Sequence, residues 1–239
     1  MEKLKETLDE LFQKWQEKDA QGAAHFATEG QEREIIYPFN PIERTIAHLL
    51  EAQVLDITQY ETIRRAYLER NKYLNLYELA PRTFGETWGQ KHIQEIVPQT
   101  CLPSKQLDPQ YEGQYDLWLP GIRIEIKASR AARKQSGGSL SEKALYSTSP
   151  DKFEMNFQQI KPACADVFVW ISVWRNTIRY WVLSSGEVSS NKYYSKKQHR
   201  GNSGEGQLRI KHSNIEEFEP FSVAADGIYE AILEAAKRK

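Results

Sequence analysis

Between Tyr115 and Lys127 the chain carries the pattern that most restricts what it can fold into. Ile122, Ile124 and Ile126 alternate strictly with Arg123, Glu125 and Lys127, and a period of two belongs to a strand with one apolar face. Just before them, Pro120 and Gly121 fit the two central positions of a type II turn. The segment therefore predicts a β-hairpin, Tyr115 to Leu119 against Ile122 to Lys127. If Pro120 and Gly121 are the whole loop, Leu119 faces Ile122 and Asp116 faces Glu125. Directly opposed residues have Cβ atoms roughly 4.5–5.5 Å apart. Tyr115, Leu117 and Leu119 are expected beside the isoleucines on a core face, with Asp116, Trp118, Arg123, Glu125 and Lys127 on the other.

The remaining periodicity sets an α/β framework around this hairpin. Leu4, Leu8, Leu11, Phe12 and Trp15 follow helical spacing over residues 2–18. Asn40, Pro41 and Glu43 open a second helix with a stripe of Ile42, Ile46, Leu49, Leu50 and Val54. Thr58 with Glu61 opens a third, carrying Ile63, Tyr67 and Leu68, and Thr83 with Glu86 a fourth that reaches about Ile96. Beyond the hairpin, Phe153 to Ile160 reads as a helix ending before Pro162. Val167 to Trp174, apolar almost throughout, reads as a central strand covered on both faces. Thr177 to Leu183 and a short run near Leu208 to Ile210 add strands, and a closing helix from about Asp226 to Lys237 buries Ile228, Ile232 and Leu233. The expected organisation is a mainly helical part over 1–80, for dimerisation or clamping, and an α/β core over 81–239 with a basic loop at 191–212.

Composition removes several classes of function. The 239 residues are 40% apolar and 27% charged, with mean hydropathy -0.67, which is the profile of a globular protein and not of a disordered chain. The longest apolar run is far short of the roughly 20 residues that a membrane span needs. The charged N-terminal segment carries no signal core, so a cytoplasmic protein without membrane association is expected. Cys101 and Cys164 stand far apart, and His25, His48, His92, His199 and His212 form no metal-protease or related motif. No glycine-rich phosphate loop is present to drive the chain with ATP. The net charge of -1 hides a segregated distribution. Residues 1–37 are acidic, while Arg123, Lys127, Arg130, Arg133 and Lys134 form one basic group, and Lys192, Lys196, Lys197, Arg200, Arg209 and Lys211 a second with only Glu205 against it. Such asymmetry marks a phosphate-binding face.

Two facing acids are hard to explain structurally, because their repulsion is destabilising by about 0.2–1 kcal/mol. A divalent cation turns that repulsion into binding. Magnesium suits the position, with manganese able to substitute, because it takes oxygen ligands, is held through one or two carboxylates, and keeps coordination positions for water and phosphate. On this reading Asp116 and Glu125 are the metal-binding acids. Lys127, two residues beyond Glu125 on the alternating strand, points to the same side and can orient the attacking water or stabilise developing charge. Removing either acid should then leave the metal-free fold as stable as before, or slightly more so.

Asp116 followed by Glu125, Ile126 and Lys127 resembles the D…ExK signature of the PD-(D/E)xK nuclease superfamily, to which most type II restriction endonucleases belong. The likeness covers about Thr83 to Leu183, with Tyr115 where the signature's proline would stand. It implies a restriction-endonuclease-like mixed sheet flanked by helices, with Asp116, Glu125 and Lys127 as catalytic residues. Family members often add an acid from the preceding helix, which makes Glu86 a third metal-ligand candidate. The same residue also fits the third position of a helix capping box.

The implied activity is magnesium-dependent hydrolysis of double-stranded DNA at a specific sequence, as in a type II restriction system. The alternatives are a structure-specific repair or junction-resolving nuclease and a non-catalytic DNA-binding module. A palindromic target implies a homodimer, and a restriction system implies a cognate DNA methyltransferase. Phosphate anchoring is assigned to Ser129, Arg130, Arg133 and Lys134. Base readout is assigned to Lys196, Lys197, Gln198, His199, Arg200, Asn202 and Gln207 in the loop, with Gln158 and Gln159 on the expected helix after the hairpin as further contributors, because Arg pairs with guanine and Gln or Asn with adenine.

Overall fold

The computed structural model describes residues 2–24, 41–134, 137–196 and 205–238, side chains excepted at 2–8, 41–43 and 86. The chain divides into two compact units, Met1–Asn75 and Leu76–Lys239.

The first unit is built from helices α1 (Glu2–Lys18), α2 (Pro41–Glu51) and α3 (Ile57–Arg70). Trp15 of α1 is buried and stacks on His48 of α2, and Ile46 and Leu49 are buried beside them. Asn40, the predicted cap of α2, lies outside the described residues. Helix α3 begins earlier than its sequence signal. Asp56, not Thr58, is its cap: Asp56 Oδ1 accepts from Gln59 N at 2.8 Å, and Gln59 Oε1 accepts from Asp56 N at 3.0 Å. This closes a reciprocal capping box two residues upstream of the expected one.

The second unit is α/β. Its main sheet has the order β1 (Leu117–Leu119), β2 (Ile122–Arg130), β4 (Val167–Val173), β5 (Ile178–Ser184) and β8 (Ser222–Val223). It is mixed, since β2 and β4 run parallel while the other neighbours are antiparallel. A smaller antiparallel sheet has the order β3 (Glu154–Ile160), β7 (Gly206–Lys211), β6 (Tyr194–Ser195). Every residue of β4 is buried, as its apolar run predicts. On one face, Phe168, Trp170, Trp181 and Leu183 join Met155, Phe157 and Ile160 of β3 and Leu208 and Ile210 of β7 in one core. On the other, helix α4 (Gly89–Ile96) begins directly on β2. A Cβ built at Gly89 would lie 3.5 Å from Ile126 Cγ2 and 3.6 Å from Ala128 Cβ. The last helix, α5 (Ile228–Ala235), packs on β4 and β5 and buries Ile228 and Ile232, with Leu233 only partly covered.

Two further expectations are corrected. The segment predicted as a helix over 153–160 is strand β3, paired with β7 from Glu154↔Lys211 to Ile160↔Gly206. Its buried Met155 and Phe157 alternate with partly exposed neighbours, so period two governs it. Thr83 does not hold the capping position expected of it. The helix is already turning at Pro81 and Arg82, and Thr83–Trp88 is a π-helical turn running into α4, with Gly89 N–H bonded to Phe84 O. Thr83 therefore lies inside the helix.

Candidate active site

The hairpin forms in the predicted register, with Leu119↔Ile122, Trp118↔Arg123 and Leu117↔Ile124, and Gly121 takes a φ of +81°. The ladder ends there. Asp116 N donates to Ile124 O at 3.0 Å instead of continuing the register opposite Glu125. Tyr115 then crosses to the other face, where it is buried in the same core as Phe168 and Trp170. The sequence-based division into a core face and a chemical face is thus corrected: both faces of the hairpin are covered, and the polar groups gather at its open end.

That end holds the three residues of the motif. The Asp116 carboxylate is fixed on both oxygens, Oδ2 accepting from Ile126 N at 2.7 Å and Oδ1 from Gln90 Nε2 at 2.6 Å. Gln90 gets there because it is the second residue of α4, whose start lies on β2. On β2, Glu125 and Lys127 pair with Phe168 and Trp170 of β4 and so share their face. Glu125 Oε1 lies 2.5 Å from Lys127 Nζ. Asp116, Glu125 and Lys127 all border one open cavity of about 510 Å3.

Burial raises the Glu125 pKa to about 7, Lys127 pulling it down and the charge of Asp116 pushing it up. A carboxyl held there is close to half protonated at neutral pH, and a cation placed between the two acids would favour its charged form. Among the described residues no group of three or more His, Cys, Asp or Glu side chains converges on a metal position. The protein's share would then be the Asp116 and Glu125 carboxylates, a number with which magnesium is commonly held. The Glu86 side chain lies outside the described residues. Its backbone is in the π-helical turn.

The residues assigned to DNA contact have varied surroundings. Arg130 Nη1 donates to the carbonyls of Leu76, Tyr77 and Leu79 at 3.0, 3.0 and 2.9 Å, and its guanidinium sits 4.2 Å from the centre of the Phe84 ring. It clamps the backbone where the second unit begins. Arg123 makes a two-point bond to Asp166, at 3.0 and 2.9 Å, and Arg133 is paired with Asp151. Lys134 is 83% exposed, 3.9 Å from Glu154. Ser129 is partly covered on β2, Lys196 and Gln158 are exposed, and Gln207 accepts from Asn156 Nδ2 at 3.3 Å. Lys197, Gln198, His199, Arg200 and Asn202 lie outside the described residues.

Gln90, Lys161 and Glu205 also border the cavity and were not singled out from the sequence, and Gln159, named there beside Gln158, joins them. Gln159 and Lys161 border it from the end of β3, and Glu205 borders it from the start of β7, 2.9 Å from Lys161 Nζ. Their signal was the alternation of Met155 and Phe157, which makes the segment a strand and delivers its end to the hairpin. Among the described residues no helix is long and apolar enough to cross a membrane. The chain matches no protein-family model, and no curated protein matches its sequence.

Proposed function

We propose that the chain is a divalent-metal-dependent endonuclease that hydrolyses phosphodiester bonds of double-stranded DNA at a specific sequence, in the manner of a type II restriction endonuclease and on a fold of that kind. The observation that carries this reading is the convergence of Asp116, Glu125 and Lys127 on one open cavity at the end of a single hairpin. Asp116 and Glu125 would hold magnesium, or manganese in its place. When bound, the cation supplies Lewis-acid stabilisation of the phosphate and acidifies a water.

The chain's own groups have separable tasks. Ile126 N–H and Gln90 fix the Asp116 carboxylate in one orientation. Glu125, raised to about 7 by burial, gives up its proton when positive charge arrives. Lys127 Nζ, beside Glu125, donates to the attacking water or to a phosphate oxygen as charge develops. Exposed Lys134 and Lys196 are suited to the flanking phosphates. A palindromic target would be cut by a twofold pair of chains, one strand each, alongside a methyltransferase that protects the same sequence.

Digestion of supercoiled plasmid by the purified chain with magnesium tests this directly. Discrete fragments that vanish with chelator support the reading. An intact plasmid alongside cleaved branched DNA would replace it with a structure-specific nuclease, and binding without any cleavage would replace it with a DNA-binding module.

A further inference from the structure

Strand β3 carries an irregularity that the hairpin chemistry does not use. Its pairing with β7 shifts between Phe157 and Ile160. Met155, Phe157 and Ile160 are buried, so the extra residue leaves Gln158 and Gln159 both exposed. Gln159 adopts a φ of +56°, a left-handed conformation that is costly for a residue with a Cβ and is found at functional sites more than in ordinary strands. Among the described residues the other non-glycine case is Gln53, which follows helix α2, where such a conformation commonly ends helices. Bulges beside active sites serve to re-aim side chains.

The bulge also has a definite neighbourhood. Gln159 borders the 510 Å3 cavity together with Asp116, Glu125 and Lys127, and a second cavity of about 300 Å3 that shares Asp116 and Lys127 with the first. The two cavities adjoin across those residues, as a strand passing over the motif requires. Lys161 stands on the first cavity, held by Glu205. With three carboxylates and two lysines there, a bound divalent cation changes the formal charge from negative to positive and makes the cavity receptive to phosphate.

We propose that the β3 bulge is a second substrate-contacting wall: the Gln159 carboxamide holds the nucleic-acid strand where it crosses from one cavity to the other, and Lys161 takes the adjoining phosphate. The proposal rests on the nuclease reading for its substrate and assigns substrate positioning to residues outside the D…ExK motif.

The test compares the parent chain with Gln159→Gly, Gln159→Ala and Lys161→Gln in three measurements: thermal melting, binding of labelled plasmid-derived duplex in calcium across a salt series, and single-turnover cleavage in magnesium. Glycine takes positive φ freely, so Gln159→Gly should melt at or above the parent. It should nonetheless bind duplex about 3- to 10-fold more weakly, the loss of one or two hydrogen bonds. Gln159→Ala should bind as weakly and melt no higher than the glycine variant. Lys161→Gln should lower the salt slope of binding by about one. Glycine and alanine variants that bind and cut like a cleaving parent would overturn the proposal and leave the nuclease reading standing. A parent that binds but never cuts would remove the nuclease reading, and weaker binding by Gln159→Gly would still support the contact. A parent that neither binds nor cuts would overturn both.

Discussion

The Asp116 carboxylate accepts the amide hydrogen of Ile126 at 2.7 Å, so the first acid of the motif is anchored to the residue that separates the other two members. This contact outweighs the electrostatic argument that the sequence suggests. Removing a repelled acid would gain about 0.2–1 kcal/mol, whereas leaving a covered N–H without its acceptor costs about 1–3 kcal/mol. Asp116→Ala is therefore expected to be less stable than the parent in metal-free denaturant titrations, and Asp116→Asn, which keeps an acceptor, close to it. Neither should cleave DNA. An alanine variant as stable as the parent would show that the bond contributes nothing.

Glu125 should make stability depend on pH. Its folded pKa, about 7, lies above the ordinary glutamate value of 4.5, so between those values the folded chain holds a proton that the unfolded chain has released. Stability should fall as pH rises from about 4.5 through about 7 and then level off, because the folded state binds more protons across that window. Glu125→Gln should flatten this part of the profile. Cation binding expels the same proton, so the rise in Tm on adding magnesium should be larger at about pH 8 than at about pH 6. Melting curves in chelator and in magnesium read both effects, and a pH-independent magnesium shift would contradict the assignment.

Arg130 and Lys134 should separate into a structural and a binding role. Arg130 donates to three carbonyls and covers Phe84, so Arg130→Ala is expected to cost about 1.5–3 kcal/mol. Arg130→Lys should not restore it, since one ammonium cannot reproduce the planar fork or its stacking. Lys134→Ala should leave Tm unchanged and reduce the salt slope of duplex binding by about one. Equal melting of Arg130→Ala and the parent would return Arg130 to the phosphate-binding set.

The hairpin was legible because two short-range signals agree: the Pro120–Gly121 turn fixes the register and the isoleucine alternation fixes the faces. The departure at Asp116 carries no such signal. It arises where Tyr115 finds burial among Phe168 and Trp170, partners about fifty residues away. Strand β3 was misread because Phe153, Phe157 and Ile160 satisfy helical spacing while Met155 and Phe157 satisfy strand spacing. The bulge is what lets both patterns coexist, and pairing with β7 decides between them. Arg130 looks like a phosphate anchor in sequence because it comes three residues after Lys127 in a basic group. Its carbonyl partners come from Leu76 to Leu79, and a backbone acceptor leaves no mark in side-chain identity.

Lys127 bears most directly on the central claim that this hairpin performs phosphodiester hydrolysis. Its ammonium lies beside Glu125 on the cavity wall, where it can serve the reaction more than the affinity for DNA. The decisive measurement is single-turnover cleavage of duplex plasmid DNA in magnesium by saturating Lys127→Met and parent protein, with binding measured in calcium alongside. The expected result is near-parental binding with a cleavage rate lower by roughly 10²–10³-fold, the scale of losing one preorganised donor. Parental binding with a parental rate would contradict the account, because it would leave Lys127 a spectator and place the chemistry elsewhere.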